Sequence, residues 1–183
     1  MAATIAGVTV LTAFWFLHER VIATQIGERR TFTFNDGSEV TLNTATRINL
    51  DYNEKRRYLR LQQGEALFKV AKDPNRPFVV AIGDRTVVAL GTSFLARRDT
   101  GTIAVTLIEG KVSVSTPELG FATKSLPPAP LQPLEKVAAK LTGEEGRGGA
   151  TILSPDQRLT LVRDEQPRLG RPALEMVTGF RRR

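Results

Sequence analysis

Side chains capable of acid–base or nucleophilic chemistry are few and scattered along this chain. The 183 residues include no cysteine and one histidine, His18. Without cysteine there are no disulfides, thiolate metal ligands or cysteine nucleophiles. A single histidine beside an apolar segment cannot be the base of a triad in a distant domain. Any metal site would therefore have to be built from carboxylates alone.

The carboxylates show no pattern that indicates catalysis. The acidic residues considered are Asp36, Glu39, Asp51, Glu65 and Glu109. A glycosidase needs two carboxyl groups that converge across a cleft, and nothing in their spacing predicts convergence. No glycine-rich turn opens a long helix, so a phosphate-binding strand–loop–helix is absent. The sequence therefore predicts a protein that is not an enzyme, with no catalytic residue, no cofactor and no metal site.

The positive charge of the chain is spread over its length. Twenty-six Lys and Arg residues against 19 Asp and Glu residues give a net charge of +7. The densest basic groups, Lys55-Arg56-Arg57 and Arg181-Arg182-Arg183, are both predicted to be solvated turn or tail positions. A nucleic-acid binder usually carries a basic stripe or patch. The rings that could stack on bases fall in step with the predicted core, so we expect no nucleic-acid partner; they are Phe32, Phe34, Phe68, Phe78 and Phe94.

The first segment of the chain is apolar. Residues 1–17, MAATIAGVTVLTAFWFL, carry no charge, which is close to the lower limit of ~17 residues for a spanning helix. Trp15 and Phe16 lie near its end, where aromatic rings favour the membrane interface. We predict a transmembrane anchor over residues 1–22. The alternatives are a cleaved signal, although a positive n-region is missing, and a buried helix of a soluble domain.

Hydrophobic residues recur with a period of two from Thr31 to Ser115, as half-buried strands require. Turn signals separate these runs, and Asn35-Asp36-Gly37 is the strongest of them. The runs Phe78–Ile82 and 86–90 are apolar on both faces and are expected in the middle of the structure. The pattern predicts an all-β fold of stacked short strands, solenoid- or sandwich-like, preceded by one N-terminal apolar helix.

The composition changes after Ser115. Residues 116–150 are rich in proline and glycine and predict an insertion or linker, with two helical turns at 134–141. β character returns from Ile152 to Val162, and residues 171–183 predict a short helix. The predicted organisation is an anchor or signal at 1–22, a β domain at 28–115, the insertion at 116–150, and a closing strand with a C-terminal tail at 151–183.

Five short motifs between Phe34 and Ser115 resemble, in their order, the FecR domain. Ser154-Pro155-Asp156-Gln157-Arg158-Leu159 also resembles the closing strand of that family. By this resemblance the motif residues are determinants of the fold and form no binding site. The motifs are Asp36-Gly37-Ser38 with Val40-x-Leu42-Asn43, Gly64-Glu65-Ala66-x-Phe68-x-Val70, Arg76-Pro77-Phe78-x-Val80, Leu90-Gly91-Thr92-x-Phe94, and Glu109-Gly110-x-Val112.

The resemblance implies a regulator of the bacterial inner membrane, with one spanning helix and its β domain in the periplasm. In that family a cytoplasmic N-terminal segment controls an extracytoplasmic-function sigma factor. The signal usually comes from a TonB-dependent outer-membrane transducer, often one for a ferric siderophore. The implied function is an anti-sigma-type regulator in iron-uptake signalling. Its implied partners are the transducer, the sigma factor and the membrane, which it contacts through residues 1–22.

The chain departs from the family pattern in three places. A sigma-contacting segment is missing before Met1, the family usually continues beyond Phe180, and residues 116–150 look like an insertion. We therefore expect either a fragment of a longer regulator or a form without sigma control. The alternative function is an envelope adaptor that binds protein, glycan or lipid without signalling.

Overall fold

The computed structural model describes residues 20–115, 151–162 and 167–172, and over these residues the chain forms strands and no helix. The strands are β1 (Arg20–Ala23), β2 (Arg30–Thr33), β3 (Glu39–Leu42), β4 (Arg47–Tyr52), β5 (Arg57–Lys69), β6 (Phe78–Ile82), β7 (Arg85–Ala89), β8 (Ser93–Asp99), β9 (Thr102–Glu109), β10 (Val112–Ser115), β11 (Thr151–Leu153), β12 (Arg158–Val162) and β13 (Arg168–Gly170). The prediction of an all-β fold is confirmed.

The strands form one curled sheet, a half-barrel, whose two halves share β5. The first half has the order β1-β4-β5-β6-β7-β10-β11, and the second half has the order β2-β3-β5-β8-β9-β12-β13. Every neighbouring pair is antiparallel except β5 and β6, which are parallel. The expected solenoid- or sandwich-like stack is thereby corrected to a single sheet, because one strand runs through both halves.

Strand β5 changes its neighbours along its length. Its segment 57–61 pairs with β6 and with β4, and the pairing with β4 continues past a bulge to Gln63; its segment 64–69 pairs with β8 and, from residue 66, with β3. The change coincides with Gly64, which has a φ of +85° and whose missing Cβ would lie 2.4 Å from Thr46 Oγ1. A left-handed backbone and this close approach both require glycine. Residues 57–69 nevertheless form one continuous strand.

The inner faces of both halves enclose one hydrophobic core. Phe68, Phe78 and Phe94 are fully buried, while Phe32 and Phe34 are partly buried and pack against that core. Their predicted place in the core is therefore confirmed. The Phe68 ring stacks on Phe94 at a centroid distance of 4.9 Å and meets Phe78 edge-on at 6.0 Å. Such ring pairs add specific geometry to the burial of apolar area, here between β5, β6 and β8.

Strands β6 and β7 lie in the middle of the first half, as their apolar sequences predicted. Phe78, Val80 and Ile82 of β6 are fully buried, and Val79 and Ala81 between them are partly exposed on the outer face. The predicted hairpin at Asn35-Asp36-Gly37 joins β2 to β3, with Phe34 N–H donating to the Ser38 carbonyl. The return of β character after residue 151 is also confirmed, by β11 and β12.

The β structure begins earlier than the sequence had suggested. Residues 20–22, included in the predicted first segment, belong to β1, where Ile22 pairs with Ile48 of β4. Among the residues described, no helix has the length and apolarity needed to cross a membrane. The predicted apolar helix before residue 20, the helical turns at 134–141 and the tail after residue 172 lie outside the described residues.

We expect Gly64→Ala to destabilise the fold more than Gly27→Ala. Both glycines have nearly the same φ, +85° and +84°, but nothing lies within 4 Å of a Cβ at Gly27. The left-handed conformation costs either variant ~1–2 kcal/mol. The contact with Thr46 should add ~1–3 kcal/mol for Gly64→Ala only. Urea unfolding of both variants measures the difference. Equal losses would show that Thr46 moves aside freely and that the bend tolerates a side chain.

Candidate functional site

The most connected polar group in the structure is the guanidinium of Arg57, at the start of β5. Its side chain is fully buried. Its Nε donates to the Arg76 carbonyl at 2.7 Å, its Nη1 to the Ala71 carbonyl at 3.0 Å, and its Nη2 to the Asp73 carbonyl at 3.1 Å. Arg57 thus holds the loop before β6 against β5 by satisfying carbonyls that no strand pairs with.

The carboxylate of Asp36 completes this group from the other half of the sheet. Asp36 Oδ2 lies 3.1 Å from Arg57 Nη1 and accepts hydrogen bonds from Tyr52 Oη at 2.6 Å and Ser38 Oγ at 3.0 Å. Ser38 Oγ in turn accepts the N–H of Ala71 at 3.1 Å. We call Asp36, Ser38, Tyr52 and Arg57 the buried polar node. It joins the β2–β3 hairpin to β4, to β5 and to the loop before β6.

The node shifts the ionisation of two of its members. Burial by itself would raise the pKa of Asp36, but the hydrogen bonds from Tyr52, from the Ser38 N–H and from Arg57 outweigh burial and lower this pKa to about 2. Burial, together with the hydrogen bond to Asp36, raises the pKa of Tyr52 to about 12. Neither group changes charge near neutral pH, so the node is a permanently charged, fully bonded pair rather than a proton relay.

The prediction that Lys55-Arg56-Arg57 forms a solvated group is wrong for Arg57. Lys55 is exposed and Arg56 pairs with Asp51 at the surface. Arg57 begins β5 and faces the core, with its guanidinium carbon 5.8 Å from the centre of the Phe78 ring. Three consecutive basic residues mask this difference in the sequence, because only the first two lie in the β4–β5 turn. The place of Tyr52 in the node was missed for a similar reason, since its alternation with polar residues indicated only core packing.

A second polar cluster surrounds Gly64, where β5 bends. Thr46 Oγ1 donates to the Glu65 carbonyl at 3.1 Å and accepts the Glu65 N–H at 3.0 Å. The side chain of Glu65 accepts from Asn43 Nδ2 at 2.9 Å. Thr24 Oγ1, behind this cluster, donates to the Asn43 carbonyl at 2.6 Å. These bonds replace the strand pairing that the bend interrupts.

The motifs around Gly91 and Gly110 lie at the end of the sheet away from Gly64, in what we call the far turn. Gly91 and Thr92 precede β8, Glu109 ends β9, and Gly110 forms the turn to β10. A Cβ at Gly110 would lie 2.7 Å from Thr92 Cγ2, so the two motifs are in direct contact. Arg76 and Pro77 precede β6, and Arg76 Nε bonds Asp73 Oδ2 at 2.8 Å.

The motif residues are thus brought together at the two ends of the sheet. Asp36, Ser38, Arg76 and Phe78 meet around Arg57. The far turn adjoins this node, because Gly91 lies against Lys72, next to Ala71. Gly64 and Glu65 lie apart from them, at the bend of β5. Within residues 20–115, 151–162 and 167–172, no group of three or more His, Asp or Glu side chains is arranged to hold a metal ion. His18 lies outside the described residues.

A groove of about 1180 Å³ opens at the end of the half-barrel where β5 bends. Its walls include the β6–β7 turn at Gly83-Asp84 and the β8–β9 turn at Thr100-Gly101, and its floor includes Ile103 and Leu161. It lies between the two halves of the sheet. No sequence signal marked this groove, because its lining comes from five strands and from the turns between strands.

Because of the buried polar node, we expect two Asp→Asn substitutions to differ strongly in how much they lower the free energy of unfolding. Asp36→Asn leaves the Arg57 charge buried without a carboxylate and should lower the free energy of unfolding by ~3–5 kcal/mol. The control, Asp51→Asn, breaks a partly exposed ion pair with Arg56 and should cost no more than ~1 kcal/mol. Chemical denaturation at pH 7 gives both values, and equal losses would contradict the proposed weight of the node.

The same pair of proteins has a characteristic pH dependence. The pKa of Asp36 is about 2 in the folded chain and ~3.9 in an unfolded one. Its lowered pKa stabilises the fold fully above pH ~4, and this contribution disappears as pH falls towards 2. The stability difference between wild type and Asp36→Asn should therefore narrow from pH 5 to pH 2. A constant difference across that range would assign the loss to packing instead of charge.

Two crystal structures of a candidate anti-sigma factor from Parabacteroides distasonis ATCC 8503, at 2.50 Å and 1.65 Å resolution, are each 22% identical to this chain with a TM-score of 0.65. They cover 89% and 88% of this chain, which spans 64% of the length of that protein. At this identity the likeness shows the fold alone. A search of the curated proteins finds no match.

A family profile described as FecR protein matches residues 20–113. The match begins at the first residue of β1 and ends within β10, so it covers the strands that contain the buried polar node, the bend of β5 and the far turn. The matched residues make up just over half of the chain. This chain therefore belongs to the FecR protein family.

Proposed function

We propose that this chain is the periplasmic sensor part of a transmembrane anti-sigma-type regulator, which controls an extracytoplasmic-function sigma factor in iron-uptake signalling. The observation that carries the proposal is the FecR match over residues 20–113. The fold shared with a candidate anti-sigma factor supports it. In this proposal the uncharged run 1–17 is the inner-membrane anchor, and everything from Arg20 onward lies in the periplasm.

The proposed mechanism is association, without a chemical step. The best-connected polar groups of the described chain are bonded to one another inside the sheet, as in the node of Asp36 and Arg57. Such groups hold the fold, and we propose this structural role for all the motif residues. Signals must then act through surfaces, by contact with a TonB-dependent outer-membrane transducer and, across the membrane, with the sigma factor.

The topology of the proposal is tested by fusions after Arg183. Alkaline phosphatase fused there should be active, because this enzyme is active only after export. β-Galactosidase fused there should be inactive, because that enzyme is active only in the cytoplasm. The control is the double variant Val10→Arg and Phe14→Arg. Two charges in a spanning helix cost ~2.5–3.5 kcal/mol each near its centre, so this variant should lose phosphatase activity. An active β-galactosidase fusion of the wild-type chain would place the domain in the cytoplasm and end the proposal.

The regulatory role is tested with a reporter driven by the extracytoplasmic-function sigma factor that this regulator is proposed to control. Cells are grown under iron limitation, with and without ferric siderophore. The wild-type and Asp51→Asn chromosomal alleles should respond to the siderophore, whereas Asp36→Asn should not, because the folded periplasmic domain is needed to receive the signal. Deletion of the gene should also abolish the response. A deletion strain that responds like wild type would favour the non-signalling adaptor.

A further inference from the structure

Two arginines lie on the inner face at the mouth of the groove defined above. In an antiparallel pair, residues directly opposite each other share one face of the sheet. Arg85 lies opposite Ile82, which is fully buried, and Arg98 lies opposite Ile103, which is a core residue. Both side chains therefore leave the sheet on its core side, at the end where the core opens to solvent.

The two guanidinium groups converge on the β6–β7 turn. A Cβ at Gly83 would lie 3.8 Å from Arg98 Cζ, and Arg85 is two residues farther along the chain. Arg98 Nη1 donates to the Leu61 carbonyl at 3.3 Å, and no Asp or Glu in the described part of the chain lies within salt-bridge distance of it. Arg85 Nε is buried, lacks a hydrogen-bond partner among the described residues, and is 3.7 Å from Asp84 Oδ2.

Three acidic residues also line the groove, and of these only Asp84 lies within ion-pair distance of Arg85 or Arg98, at 3.7 Å from Arg85 Nε. Asp99 bonds Arg97 at 2.6 Å on the rim, and Glu65 lies opposite Arg97, on the face of the sheet that points away from Arg98. Asp84 has 73% of its side chain exposed. The interior of the groove is therefore positive while its outer rim is mixed, and arginine at such a site is suited to bind carboxylates through paired hydrogen bonds.

The floor of the same groove contains an interruption in strand pairing. Strand β5 pairs with β6 as far as Leu61 and with β8 only from Gly64. On this side Gln62 and Gln63 have no partner residue in either strand. Both line the groove. Gln63 pairs with Arg47 of β4 on its other side and donates through its side chain to the Ala45 carbonyl, but the side of β5 that faces the groove is open to another extended chain, as a strand edge is.

We propose that this groove binds an extended acidic peptide segment, whose carboxylates bind Arg85 and Arg98 while its backbone lies along Gln62 and Gln63. The volume of about 1180 Å³ exceeds the ~300–1,000 Å³ of ordinary small-molecule pockets, which favours a chain over a single small anion. None of the lining residues that the structure describes is aromatic. The groove therefore lacks the stacking platform that single-stranded nucleic acid requires.

The test measures the binding of a peptide to the purified chain of 183 residues in detergent, with fluorescence anisotropy as the readout. The probe is a labelled, terminally blocked peptide of three Glu-Thr repeats, compared with the matching Gln-Thr peptide and with inorganic phosphate as competitor. The acidic peptide should bind, binding should weaken with added salt, and the neutral peptide should bind at least about tenfold more weakly. Two results would overturn the proposal. One is equal binding of the two peptides, and the other is displacement of the acidic peptide by phosphate with an affinity as high as that of the peptide itself.

Four variants assign the binding to the groove. Arg85→Gln and Arg98→Gln should each weaken binding by about tenfold or more, whereas Lys111→Gln, an equal charge change in the β9–β10 turn, should not. Asp84→Asn removes the carboxylate nearest Arg85 from an exposed turn and should tighten binding without affecting the fold.

Circular dichroism and thermal unfolding verify that each variant is folded. If an Arg variant unfolds, the Asp84→Asn result decides, and unchanged affinity there would contradict the site. The assay contains no sigma factor, so a negative result here and a negative reporter result above remain distinguishable.

Discussion

The passage of β5 through both halves of the sheet is the constraint on which the rest of this structure depends. A strand that belongs to two differently oriented halves has to bend. The bend brings its backbone so close to a neighbouring strand that a side chain at this position would collide with it. Gly64 meets that requirement against Thr46. Because both halves use β5 as a central strand, neither can form its inner face without the other, and the hydrophobic core is single.

The buried polar node acts at the beginning of the same strand. A buried ion pair usually contributes little net stability, because desolvation of both charges offsets their attraction, but loss of one partner is costly. Here the pair of Asp36 and Arg57 links the β2–β3 hairpin of the second half to the loop that leads into the first. Its arrangement favours one specific fold over alternatives, because the node can be fully bonded only when the hairpin, the loop and the strand are all in place.

The groove is the other consequence of the bend in β5. Where β5 leaves β6 and has not yet reached β8, the sheet opens, and the core ends in two arginines instead of apolar side chains. The same glycine that makes one core possible therefore also creates an open groove with two arginines on its inner face. In the proposed regulator, a ligand there would contact both halves of the sheet at once, on the strand that connects them.

Local chemistry in the sequence was sufficient for the strands, several turns and the family. The period of two, the hairpin at Asn35-Asp36-Gly37 and the buried phenylalanines depend on neighbouring residues alone, and the structure has them as predicted. Contacts between residues distant in the chain could not be predicted from these local patterns. The continuity of β5 across Gly64, the burial of Arg57 within a basic triplet and the convergence of Arg85 with Arg98 each depend on contacts between distant segments, up to 37 residues apart for Leu61 and Arg98. Periodicity reports which face a residue occupies, whereas only the tertiary structure decides which other residues share that face.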